Sequence, residues 1–143
     1  MQVEYAFLAD AAQTSADNKL YVLGGGIDEI GAPRFPATHP YMSLVVKLQL
    51  HPTECGRPHK LEIELWEQDG QRIGGRIEAE FSAERQKKGR SSYVQMVLNI
   101  VGIQFPHSGD YAFQLVVGGE HRKTVPLHLE ELPQPSSAAD SHD

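Results

Sequence analysis

The sequence predicts an all-β fold, an antiparallel β-sandwich of about eight strands that is immunoglobulin-like or C2-like. Three observations predict it. Apolar residues recur at every second position in six successive stretches. Gly and Pro punctuate the gaps between those stretches, and amphipathic helical spacing is missing. Period 2 marks a strand buried on one face, and many such strands in one chain need two packed sheets or a closed barrel.

The elements follow in order. Val3 to Leu8 is nearly all apolar or aromatic and reads as a central strand. Thr14 to Asn18 is a polar turn, and Lys19 to Leu23 follows as a strand. Gly24-Gly25-Gly26 then breaks the ladder, with a bulge or bend expected because glycine accepts positive φ. A phosphate cradle is the other reading of these glycines. It would need Lys-Ser/Thr and a helix next, whereas Ile27-Asp28-Glu29 follows, so their role is structural. A short strand is expected over Ile27 to Ile30, and Pro33, Pro36 and Pro40 enclose an irregular crossing.

Met42, Leu44, Val46, Leu48 and Leu50 then alternate with polar residues, apart from Val45. The same pattern returns in Leu61 to Leu65, Ile77 to Phe81, Val94 to Ile100, Tyr111 to Val117 and Val125 to Leu129. Gly118-Gly119 reads as a hairpin turn. Pro126 lacks an amide proton, which puts its strand at a sheet edge. Gly109-Asp110-Tyr111 before a strong strand suggests a tyrosine corner, which favours a sandwich over a barrel. The domain is expected to span 1–132, with a disordered tail of Pro, Ser, Ala, Asp and His over 133–143.

The opening EYAFLADAAQ…NKLYVLGGGIDEI…FPATHP and the closing FPHSGDYAFQLVVGGEHRKTVPLHL resemble a family of small uncharacterised bacterial proteins, a domain of unknown function. The likeness spans about residues 3–130 and rests on turn and core residues. Asn18 stands where the family has Gly in the first turn, and Gly118-Gly119 where it has Asp-Gly. The resemblance implies a β-sandwich and brings no activity, so no functional residue is carried over.

The formal net charge of −6 argues against nucleic acid or an anionic membrane as partner. Cys55 is the only cysteine, the N-terminus lacks a basic leader, and no apolar run reaches membrane-span length. A cytoplasmic location is the expectation.

Candidate sites are few. His51, Cys55 and His59 have the donor types of a zinc site in H-x3-C-x3-H spacing. Pro52, Gly56 and Pro58 disfavour the helix that would align them, so the reading is a solvated loop. Arg85, Lys87, Lys88 and Arg90 form a basic run read as a solvated loop. Asp10, Asp28, Glu29, Asp69 and Asp110 read as turn acids rather than a calcium site, and Ser43, Ser108 and His107 fit no acyl-transfer motif. Trp66 falls with Glu62 and Glu64 on an outward face, and with outward Val45 and Val97 it is the candidate contact residue. Three functions compete. The first is a non-catalytic interaction or structural module, self-associating or with a protein partner, acting through Trp66 or through an exposed edge at Thr124–Leu129. The others are a small-ligand or metal-binding module and an enzyme. The first is preferred, with no cofactor and no catalytic residue assigned.

Overall fold

The computed structural model describes residues 1–133; the tail expected over 133–143 lies, from 134 on, outside the described residues. Among these residues nine strands form two sheets. Sheet I has four strands in the order β2-β1-β4-β7: β1 (Gln2–Thr14), β2 (Leu20–Gly25), β4 (Ala37–Leu50) and β7 (Ser92–Phe105). Sheet II has five in the order β3-β9-β8-β5-β6: β3 (Glu29–Ala32), β5 (His59–Glu67), β6 (Arg72–Phe81), β8 (Gly109–Val117) and β9 (Glu120–Glu131). Alternation along each strand sends one set of side chains inward. Leu8, Met42, Leu44, Val46 and Ile100 from sheet I meet Leu61, Ile63, Phe113, Leu115 and Leu127 from sheet II in one buried core.

The expected all-β sandwich is therefore present, with one difference in pairing. Every neighbouring pair is antiparallel except β3 with β9, which runs parallel from Glu29↔His128 to Ala32↔Glu131. β3 also begins two residues later than the sequence suggests. The amides of Gly26 and Ile27 both donate back to the Leu8 carbonyl, at 2.8 and 3.0 Å, and hold the chain on sheet I until Asp28. Gly24 and Gly25 close β2 instead of interrupting it, and the turn away follows at Gly26, with φ +80°.

The Pro126 strand is only partly an edge. β9 lies inside sheet II where β3 covers residues 128–131, and is open before that. Pro126 occupies the open part, on the same side of the strand as the His128 amide, which donates to Asp28 O at 2.9 Å. The missing N–H thus falls where no neighbour needs it. An edge available along all of Thr124–Leu129 is corrected by this: from His128 onward the border is already paired.

Candidate functional site

The two outer faces of the sandwich differ in chemistry. Antiparallel register aligns side chains in rows across sheet I. Tyr5, Lys47 and Gln95 form one row, Phe7, Val45 and Val97 the next, Ala9, Ser43 and Asn99 a third, and Tyr41 pairs with Val101 beyond it. β2 adds Tyr21 opposite Gln13 and Leu23 opposite Ala11. Of the outward positions 5, 7, 9, 11, 13, 21, 23, odd 41–49 and odd 93–101, only Lys47 is charged. Its ammonium lies 5.0 Å from the Tyr93 ring centroid and 5.8 Å from that of Tyr5.

The centre of this face is closed and its margin is open. Val45, Ala9 and Ser43 are completely buried although they point away from the core, because their row neighbours cover them. Ser43 Oγ donates to Asn99 Oδ1 at 3.1 Å, and the Tyr41 hydroxyl donates to the same oxygen at 2.8 Å. Tyr5 bonds Gln95. Around that centre Leu23 is 73% exposed, Val101 72%, Tyr21 54% and Tyr93 50%. A hollow of about 420 Å³ lies among Ala11, Gln13, Tyr21, Leu23 and Tyr41.

The outer face of sheet II is an ion-pair ladder. Arg72 donates to Glu64 at 2.7 Å, Arg76 reaches Glu62 at 3.1 Å and Glu64 at 3.4 Å, and Lys60 faces Glu78 at 3.5 Å. The Arg72 hydrogen bond holds the Glu64 carboxyl below the usual carboxylate range. Trp66 sits on this face, half-buried, opposite Arg72 on β6 and Ala112 on β8. Val45 and Val97 face each other on the opposite sheet, so the structure does not gather the three into one patch.

His51, Cys55 and His59 take local roles. His51 caps the short 3₁₀ turn Pro52–Glu54, its Nδ1 accepting from Thr53 N at 3.2 Å. Cys55 Sγ lies 3.4 Å from Ser92 Oγ, and His59 Nε2 lies 2.6 Å from the Glu54 carbonyl. Among the described residues, the ligand-type side chains that do converge are two other sets, Glu29/His128/Glu130 and Glu67/Asp69/His107. In the first, Asp110 binds His128 at 2.7 Å, and Glu130 hydrogen-bonds Glu29 and pushes its carboxyl upward. In the basic run, Arg85 donates to Pro52 O at 3.3 Å beside a 3₁₀ turn at Lys87–Gly89. Between the sheets at the β6–β7 border a cleft of about 570 Å³ is lined by Ile63, Ile73, Ile77, Ile100 and Phe113 beside Gly74-Gly75.

Alternation alone gave little hint of the apolar outer face. Phe7 and Leu8 are both apolar, which the sequence renders as a strand buried on both sides. β1 is central in sheet I, but nothing in the described chain lies over its second face beyond the row neighbours. The available signal was that Lys47 is the single charge among the outward positions of β1, β2, β4 and β7 given above.

The model of a family of unknown function (DUF6941) matches residues 4–130, and the chain belongs to that family. No curated protein matches it.

Proposed function

We propose that this member of a family of unknown function is a non-catalytic interaction module of the bacterial cytoplasm, and that it self-associates through the outer face of sheet I. The observation that supports the reading is the unequal treatment of the two outer faces. One carries crossed ion pairs, and the other carries Tyr21, Leu23, Tyr41, Tyr93 and Val101 around a closed apolar centre. Extended apolar surface rimmed by polar groups is the usual mark of a protein interface. Charge favours a second copy as the occupant. Two copies each carrying −6 repel overall, and a face whose sole formal charge is Lys47 is where they approach at least electrostatic cost. A two-fold contact also needs only one self-complementary patch. A single cysteine suits a reducing compartment.

Light scattering coupled to size exclusion tests the reading. The expected result is a dimer for the natural chain and a monomer for Leu23→Glu combined with Val101→Glu, both positions being exposed enough to leave the core intact. A natural chain that stays monomeric up to about millimolar, the weak end of specific association, overturns it. So does a dimer that survives the double substitution.

A further inference from the structure

Beside this face, and independent of it, a second site stands at one end of the sandwich. The last residue of β5 is Glu67, the β5–β6 turn supplies Asp69, and the corner before β8 supplies His107. One ligand atom from each lies within 4.8 Å of the other two. Both halves are held in place. Gln68 N donates to Asp110 O at 3.0 Å and Gly70 N to Glu67 O at 3.0 Å, which fix the turn against β8. The Tyr111 hydroxyl donates to His107 O at 2.6 Å, which fixes the corner.

Glu67 is the unusual member. Its side chain is 3% exposed, at the end of a strand whose other inward residues are Leu61, Ile63 and Leu65. Its Oε2 is buried and accepts no hydrogen bond from any described group. A buried carboxylate oxygen left in that condition costs several kcal/mol unless a positive charge meets it. His107 Nε2 does approach Oε2, to 2.6 Å, but outside hydrogen-bonding direction. The other ring nitrogen explains why this matters. His107 Nδ1 lies 3.0 Å from the Ser108 carbonyl, which can only accept, so Nδ1 carries the proton. In the neutral ring Nε2 then offers a lone pair beside the carboxylate oxygen. Two lone-pair atoms 2.6 Å apart repel, and a cation shared by both would offset that repulsion. An imidazole whose far nitrogen donates to a backbone carbonyl is the usual state of a metal-ligating histidine.

We propose that Glu67, Asp69 and His107 bind a divalent transition-metal ion, one imidazole nitrogen and two carboxylate oxygens forming a zinc-type set. Imidazole with carboxylates suits Zn²⁺ better than Mg²⁺ or Ca²⁺, which prefer oxygen alone. Three protein ligands leave a position open toward the hollow that Asp69 and His107 line with Gln68, Ser108 and Asp110.

The experiment is calorimetric titration of the chelator-treated full chain with Zn²⁺, with Mg²⁺ as a second arm. One Zn²⁺ per chain is expected, with Mg²⁺ much weaker. Asp69→Asn and His107→Gln, both at exposed positions, should each weaken Zn²⁺ more than about tenfold, since loss of even an outer partner costs that much. Nitrogen NMR should show His107 Nε2 shifting on Zn²⁺ addition while Nδ1 keeps its proton. Substituting His51 and His59 together should change nothing. The proposal fails if Zn²⁺ binds no more tightly than Mg²⁺, or if affinity survives both Asp69→Asn and His107→Gln. It also fails if His107 is a doubly protonated imidazolium at neutral pH that Zn²⁺ does not displace.

Discussion

The Tyr111 hydroxyl donates to the carbonyl of His107 at 2.6 Å and accepts from the His107 amide at 3.3 Å, so one phenol oxygen satisfies both backbone groups of a single corner residue. Its ring packs edge-on against Phe105 with centroids 5.0 Å apart, joining the end of β7 to the start of β8. Tyr111→Phe keeps the ring and removes the oxygen. A net hydrogen bond is worth about 1 kcal/mol and an orphaned buried group about 1–3. The expected loss is about 1–2 kcal/mol, read as a lower urea midpoint with an unchanged m-value.

Val45 and Val101 are both outward-facing valines on sheet I, yet one is fully buried and the other 72% exposed. Deleting two methyl groups at Val45 removes covered apolar surface and leaves a gap between Phe7 and Val97, so Val45→Ala should cost about 2 kcal/mol. Val101→Ala should stay within about 0.5 kcal/mol. Urea unfolding at concentrations where the chain is monomeric checks both. Equal losses would contradict the closed centre of that face.

Gly24 has φ +61°, and a Cβ there would press on the side chain of Asp10. Gly26 has φ +80° with open space around it. Left-handed backbone costs an alanine about 1–2 kcal/mol at either position, and Gly24→Ala adds the displacement of Asp10. Thermal unfolding should therefore rank Gly24→Ala below Gly26→Ala, and both below the natural chain.

The Asp110 hydrogen bond raises His128 above the ordinary histidine value, and the carboxylates of Glu130 and Glu29 push in the same direction. A histidine with a raised folded-state pKa stabilises most fully below its unfolded value of about 6.5. That contribution disappears as pH rises through the higher folded value. A proton NMR titration should place His128 above the unfolded reference, and Asp110→Asn should bring it down. A midpoint unmoved by Asp110→Asn would remove Asp110 as the cause.

The inward residues were legible because burial imposes period 2 on them: Leu44, Ile63 and Phe113 alternate with polar neighbours and lie in the core. Strand pairing was legible only where a turn fixes it, as at Gly118-Gly119 between β8 and β9. The parallel placement of β3 was not, because its register depends on backbone bonds that carry no side-chain signature: the Gly26 and Ile27 amides donate to Leu8 O, and Asp28 O accepts from the His128 amide. The convergence of Glu67 with His107 was hidden for a related reason. The two are 40 positions apart, and only the packing of the β5–β6 turn against the tyrosine corner makes them neighbours. His51, Cys55 and His59 gave the opposite signal, being close in sequence and separately occupied in space.

The short β3, laid along the far end of β9, has a consequence for how copies can accumulate. An endless ribbon made by lateral sheet extension needs two receptive borders on every unit, one to give and one to take. On sheet II one border is β6; the other is the four-residue β3 alongside 128–131 and, before it, the stretch of β9 that Pro126 interrupts. A strand captured at β6 would find on the opposite flank only this short, stepped and proline-broken border, so the two sides of that sheet do not match and continuous lateral growth is disfavoured.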